Sequence, residues 1–256
     1  CSDPQVMDCD FYVMERIRGI IPRQNLPEGL NLSLEDTRKL CLSVIDEMIE
    51  LHQVDYKAAG LESLGKGEGY VARQIDGWSD RFRKAKTDDV VDFESVMAWL
   101  KAKLPAKDVA TCIIHNDFRF DNVVLNPDNP FEVIGVLDWE MATLGDPLMD
   151  LGNTLAYWVQ ADDDQTFQMM RRQPTNAPGM LTRQEVIDYY GEKTGYKVEN
   201  FDFYTIYGLF RLAVIVQQIY YRYYHGQTKN RAFATFGFIT NYLDQRCKQL
   251  IEASTL

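Results

Sequence analysis

Residues 113–139 read IIHNDFRFDNVVLNPDNPFEVIGVLDW. Two short apolar runs, residues 111–114 and 123–125, bracket a polar loop, and a third β-prone stretch, residues 131–137, ends at Asp138. The order is strand, loop, strand, turn, strand, carboxylate. It sets His115, Asp117, Arg119, Asn122 and Asp138 on short rigid segments rather than on long mobile loops. These residue types suit transfer of a phosphoryl group to an alcohol. That reaction needs a carboxylate to orient the hydroxyl and take its proton, and oxygen ligands to hold Mg²⁺ against the phosphates. Asp117 suits the first task. For the second, Asn122 brings a neutral carbonyl oxygen and Asp138 a charged one.

Turn capping by Asn and Asp accounts for the residue types but not for three linked elements in this order. HNDFRFDN, followed by LDWE and then GDPLMDL, resembles the aminoglycoside phosphotransferase (choline kinase-like) superfamily, small-molecule relatives of protein kinases. His115, Asn116, Asp117 and Asn122 match the spacing of the protein-kinase loop H-R-D-x-x-x-x-N. The resemblance implies that Asp117 is the catalytic base and that Arg119 touches the γ-phosphate. It also implies that Asn122 and Asp138 hold the metal, with Asp138-Trp139-Glu140 in place of D-F-G. His115 and Asp150 then support the catalytic loop structurally.

Near the start, the β-prone run Phe11-Tyr12-Val13-Met14-Glu15 followed by Arg16-Ile17-Arg18-Gly19 resembles a kinase hinge, whose backbone at Glu15, Arg16 and Ile17 would bind the adenine edge. Its alternative is an ordinary edge strand. Ahead of residue 11 no Gly-rich loop, V-A-I-K-like strand or Glu-bearing helix is found, so no phosphate-binding Lys is assigned. The opening at Cys1 suggests a fragment, a processed product or a missing first lobe. Residues 65–69, GKGEG, match neither phosphate-loop pattern and are expected to form an inter-helix turn. The expected fold is α+β and protein-kinase-like: mainly the helical C-terminal lobe, with a short β-rich catalytic segment and a hinge strand. Residues 1–21 would be the hinge strand and remnant of the N-terminal lobe. Residues 22–256 would be the helical lobe, with catalytic loop 115–122 and metal-binding segment 132–140.

With 256 residues and 46% hydrophobic content, one large domain is expected. A net charge of −11 disfavours nucleic acid and anionic membrane surfaces, which require a basic footprint, and permits a cationic substrate. The five cysteines show no C-x-x-C spacing, which indicates neither a disulfide framework nor a zinc site and favours a reducing cytoplasm. No apolar run approaches a membrane span, since even residues 209–219 contain Arg211 and two glutamines.

Ser33 caps a helix running to about Val54, with Cys41, Val44, Ile45, Met48, Ile49 and His52 on its packed face. Further helices are expected over residues 69–86 and 92–103. The first carries Arg73, Arg81, Arg83, Lys84 and Lys86, either a solvated face or a contact for an anionic part of the substrate. A helix begins after Asp146-Pro147, and Thr182 opens another through a capping box with Glu185. Two long helices, about 201–224 and 229–253, close the core. Residues 162–164 and 171–180 flank a short helix expected to border the acceptor pocket as a lid. Tyr220, Tyr221, Tyr223, Tyr224 and His225 either line that pocket or pack, and Arg211 either binds substrate anions or pairs with a buried acid.

Within the superfamily, CSDPQV, FYVMERIRG, FRFDN and WEMATLGDPLMDLGNTLAYW resemble the phosphotransferase-like domains found alone or fused to acyl-CoA dehydrogenases. The implied activity is a small-molecule kinase using ATP and Mg²⁺ on an alcohol group, with a hydroxyacyl-CoA-type or aminoglycoside-like acceptor. The alternative is a kinase-like binding module without turnover.

Overall fold

The structure, a computed structural model, describes residues 3, 5–9, 11 and 13–256. The readings placed on Cys1 and Tyr12 lie outside the described residues. In chain order the helices are α1 (Leu34–Gln53), α2 (Tyr70–Ala85), α3 (Glu94–Ala102), α4 (Pro147–Ala156), α5 (Gln165–Met170), α6 (Arg183–Thr194), α7 (Asp202–Tyr224) and α8 (Phe236–Ala253). Four short strands, β1 (Cys112–Ile114), β2 (Val123–Leu125), β3 (Val133–Val136) and β4 (Thr143–Gly145), form two antiparallel pairs, β1 with β4 and β2 with β3. Among the described residues no helix is long and apolar enough to cross a membrane.

Local chemistry explains where the helices start. Ser33 accepts from the amide of Asp36, whose carboxylate in turn accepts from the Ser33 backbone, and Thr182 and Glu185 repeat the arrangement before α6. Asp146 caps α4 with Pro147 at its first position. The last helix begins later than its apolar pattern indicates, because Arg231–Thr235 form a 3-10 turn after the Asn230 side chain caps Ala232. Strand β4 is too short and glycine-containing to show a period of its own. It exists because Ile113 and Leu144 face each other across the β1 ladder.

The hinge segment forms no ladder among the described residues. Residues 13–18 run without strand pairing, with Val13 89% exposed, and the chain joins the β2–β3 pair only at Ile20, which exchanges two backbone bonds with Leu125 (2.9 and 2.7 Å). A strand is made by its neighbour, and residues 13–18 have none. Gly19 and Gly135 let this segment lie flat on the hairpin, since a Cβ at Gly135 would collide with the Ile17 side chain.

The core centres on α7, which packs against α2, α4 and α8. Phe210 of α7 meets Phe82 and Phe93 at ring-centroid separations of 6.4 and 5.8 Å. Every residue of α4 is buried. It approaches α7 backbone to backbone, because a Cβ on Gly208 would meet the Gly152 carbonyl and one on Gly152 would meet the carbonyl of Tyr204 at 2.5 Å. Gly208→Val is therefore expected to destabilise the protein by roughly 1–3 kcal/mol in urea unfolding. Gly77→Ala, on the open side of α2 with only Arg81 at 3.9 Å, should raise the midpoint by roughly 0.5–1 kcal/mol equivalent.

Candidate active site

The loop between β1 and β2 is buried, so each of its backbone groups needs a partner inside the protein. Helix α4 supplies most of them. Asp150 accepts from the amides of His115 (2.8 Å) and Asn116 (2.7 Å), and Thr154 donates to the carbonyl of Phe118 (3.0 Å). One turn away, Asn153 donates to the Asn116 side chain (3.2 Å), so Asp150, Asn153 and Thr154 form one polar stripe at helical spacing. Gln173 accepts from Phe120 N (2.9 Å), and the Asn122 side chain donates to Asp117 O (2.8 Å). Arg211 of α7 donates to the Asn116 carbonyl (2.9 Å) and stacks over Trp78.

Asp150 is fully buried, and burial pushes its carboxyl up. The His52 hydrogen bond and charge, with the His115 amide, outweigh this and hold it below the usual carboxylate range. His52 Nε2 lies 3.1 Å from Asp150 Oδ2, and Nδ1 sits 2.6 Å from the Tyr190 hydroxyl, so α1 and α6 both brace the loop. His115 is also fully buried. Its Nε2–H donates to Leu137 O (2.8 Å), while Nδ1 accepts from the Asp117 amide (3.2 Å), an assignment that follows from the partners. That engagement leaves His115 no ring nitrogen for proton transfer.

Asp117 sits at the loop's open side. Burial raises its carboxyl, opposed by Arg119 and Arg211 and by the Asn122 hydrogen bond (3.1 Å). Arg119 lies 3.3 Å from both Asp117 and Asp121 and stacks over Tyr157 at 4.7 Å. The β2–β3 register pairs Val123 with Val136, and the Leu137 amide donates to Asn122 O (2.7 Å). Asn122 and Asp138 therefore approach one another across the hairpin end. Asp138 is exposed in the left-handed region (φ 63°, ψ 51°), and among the described residues nothing partners its carboxylate. Among the described residues no group of three or more His, Cys, Asp or Glu side chains is placed to hold a metal ion. One carboxylate and one amide oxygen still fit Mg²⁺, which keeps waters and substrate phosphates as its other ligands.

Glu15, Arg16 and Ile17 are exposed, and among the described residues no backbone hydrogen bond engages them. The basic run on α2 is an exposed face whose arginines make local contacts: Arg73 bonds the carbonyls of Gly67 and Glu68, Arg81 stacks on Trp78, and Arg83 pairs with Glu94 (2.7 Å). Tyr220 donates to Asp89 (2.6 Å) and stacks near Tyr223. Arg211 takes a carbonyl rather than an acid. The short helix α5 borders a cavity next to Arg119. Asn116, matched in the H-R-D-x-x-x-x-N pattern without a role of its own, is a hub. In the left-handed region (φ 66°), it accepts from Tyr70 (3.0 Å) and donates to Met141 O (2.9 Å), joining the loop to the Asp138 segment. The D-x-x-N-T pattern within an apolar helix was the available signal.

Replacing Asp150 by Asn should cost roughly 3–5 kcal/mol at neutral pH, because two buried amides and His52 lose their anion. Its folded-state pKa is depressed, so its contribution is present above the unfolded value of about 4 and is lost as pH falls through the folded value. Urea unfolding of both proteins should show the gap narrowing below about pH 4. A pH-independent gap would contradict the assignment.

The sequence profile of the phosphotransferase enzyme family (APH) matches residues 1–185. The chain is 32% identical over 242 residues to acyl-CoA dehydrogenase family member 10 of Mus musculus, covering 94% of this chain and 22% of that protein. It is 31% identical over 253 residues to family member 11 of Homo sapiens, covering 98% and 32%. It thus spans a third or less of the length of these relatives. Among solved structures, a Ralstonia eutropha protein assigned to the aminoglycoside phosphotransferases superposes with a TM-score of 0.81 at 27% identity, covering 95% of this chain and 73% of that one. Choline kinase from Cryptosporidium parvum shares the fold, with a TM-score of 0.57 at 13% identity over 93% and 71% of the two chains. With this profile spanning well over half its length, on a protein-kinase-like α+β fold, the chain belongs to the phosphotransferase enzyme family.

Proposed function

We propose that this chain is an ATP-dependent small-molecule kinase, transferring the γ-phosphate of Mg-ATP to a hydroxyl of a small metabolite of hydroxyacyl-CoA or aminoglycoside type. The observation that carries the reading is the hairpin end. The Leu137–Asn122 backbone bond puts Asn122 and Asp138, two residues of metal-ligand type, at the same end of the hairpin, while the Asn122 side chain also donates to Asp117.

In this reading Asp117 orients the acceptor hydroxyl and takes its proton. Desolvation favours that role by making the carboxylate more basic. Asn122 Oδ1 and Asp138 would hold Mg²⁺, which supplies charge neutralisation at the phosphates. Arg119 would leave its loose contact with Asp117 to meet the γ-phosphate, a planar guanidinium suiting two phosphate oxygens. The free backbone of Glu15, Arg16 and Ile17 would take the adenine edge, with residues 1–21 as hinge and lobe remnant and residues 22–256 as the helical lobe. His115 and Asp150 hold the loop. The relatives' names extend the reading to fusion or association with an acyl-CoA dehydrogenase. A cytoplasmic setting is supported by the free thiols of Cys9, Cys41, Cys112 and Cys247.

Calorimetric titration with ATP should show binding that depends on Mg²⁺. Asp138→Gly separates stability from function. It relieves the left-handed backbone, raising stability by roughly 0.5–1 kcal/mol, and removes the metal dependence of ATP binding. Asp117→Ala should retain nucleotide binding and lower turnover of a hydroxyl acceptor by roughly 10²–10⁴-fold. Normal turnover by that variant would rule out Asp117 as the base, and nucleotide binding without turnover in the parent protein would make the chain a kinase-like binding module.

A further inference from the structure

We propose that the cavity beside Arg119 receives the apolar body of the acceptor. The acceptor is then a hydroxylated molecule joining an apolar chain to an anionic group rather than a polycation. This rests on the phosphotransferase reading above and specifies the acceptor side of the same site.

The cavity has a volume of about 570 Å³, the size of a small-molecule pocket, and lies between α5, α7, the 231–235 turn and α8. Leu212, Ile215 and Ile219 line it from α7 at i, i+3 and i+7, a stripe running roughly 10 Å at 1.5 Å per residue. Phe236 and Ile239 of α8 and Met170 of α5 face them. Its cations are Arg119 and Arg172, and among the described residues neither Asp nor Glu lines it. The net charge of −11 would by itself favour a cationic substrate, yet the local chemistry is the reverse. An ammonium-rich molecule lying among these residues would leave water and meet two guanidinium groups, with carboxylates only behind Arg119, at Asp117 and Asp121.

Asp117 does not itself line the cavity, which reaches it through Arg119. Arg119 touches Asp117 (3.3 Å) and stacks on Tyr157, another lining residue, so a chain lying along the α7 stripe brings its polar end to the reacting carboxylate. Arg172 is exposed, and among the described residues no carboxylate pairs with it, which leaves it available to an anionic group on the ligand. The wall is held in advance. Asp164, the N-cap of α5, accepts from Tyr242 (2.5 Å) and Arg246 (3.2 Å) of α8, and Arg171 clamps the other end of α5 to Gln24 and Asn25. A wall fixed on both sides lowers the ordering cost of binding.

Equilibrium calorimetry tests this without requiring turnover, using hydroxylated straight-chain carboxylates of graded length, neutral diols of matching length, and kanamycin. Affinity should rise about three- to fourfold per added methylene until the cavity is full. Carboxylates should bind more tightly than diols, and Arg172→Gln, an exposed substitution, should remove about tenfold of that preference. Ile219→Trp should end the rise at a shorter chain, and Ile215→Ala should extend it, with retained Mg-ATP binding showing that each variant is folded. Affinity independent of chain length, or tighter binding of kanamycin than of any carboxylate, would overturn the proposal. Chain-length-dependent binding with no phosphoryl transfer would leave the cavity assignment standing and sink the kinase reading. Transfer to kanamycin unaffected by Ile219→Trp would do the opposite.

Discussion

One buried carboxylate holds the site together. Asp150 has no Arg or Lys partner, so its charge is stabilised by two loop amides, the His52 ring and its place in the first turn of α4, where the helix dipole favours an anion. Asp146, one turn earlier and equally buried, shows what these contacts achieve. Burial pushes its carboxyl up to about 6 despite bonds from the Val109, Leu148 and Met149 amides. Asp146 has the like charge of Asp108 nearby and no imidazole, whereas the His52 hydrogen bond and charge offset burial at Asp150. Because His52 comes from α1 and its second partner Tyr190 from α6, the geometry of the catalytic loop depends on the packing of three helices that contribute no residue to it.

The two left-handed residues of the site, Asn116 and Asp138, carry different supports. Asn tolerates this region, and Asn116 is further held by Tyr70, Asn153, Arg211 and the Met141 carbonyl. Asp138 has only its local turn, closed by the Trp139 indole donating to Val136 O (2.7 Å) and the Ala142 amide donating to Trp139 O (2.9 Å). Strain retained beside an exposed, unpartnered carboxylate fits the metal-holding role proposed for Asp138.

Much of this was legible in the sequence because it was local. Capping boxes at Ser33 and Thr182, the Pro147 start and the 3.6-residue stripes all act within a few residues, and the H-x-D-x-x-x-x-N spacing is local too. Strand β4 was not legible, since three residues acquire strand character only from a partner about thirty positions away. Helix α8 starts later than its apolar pattern indicates because a 3-10 turn and an α-helix carry similar apolar residues. His52 read as core, which its burial bears out. Its bond to Asp150, and that of Arg211 to Asn116, join residues 98 and 95 positions apart, and no local pattern encodes such a pair. The cavity was hidden for the same reason, being the space between helices whose individual stripes look like ordinary core.

Helix α7 connects these parts. Arg211 holds the carbonyl of the residue before Asp117, while Leu212, Ile215 and Ile219 line the cavity. Loop and cavity are thus registered on one 23-residue helix, and its position is set where Gly208 and Gly152 bring α7 and α4 into backbone contact. A side chain at either glycine would move the cavity relative to the carboxylate by the width of a methyl group, enough to misalign reacting atoms that must meet within about 3–3.5 Å. The opposite walls, α5 and α8, contribute no hydrogen bond to the catalytic loop among the described residues. They are free to change in sequence without disturbing Asp117. In the proposed kinase reading such a division would let one loop serve different acceptors, with the chemistry fixed by α4 and α7 and the choice of molecule left to α5 and α8.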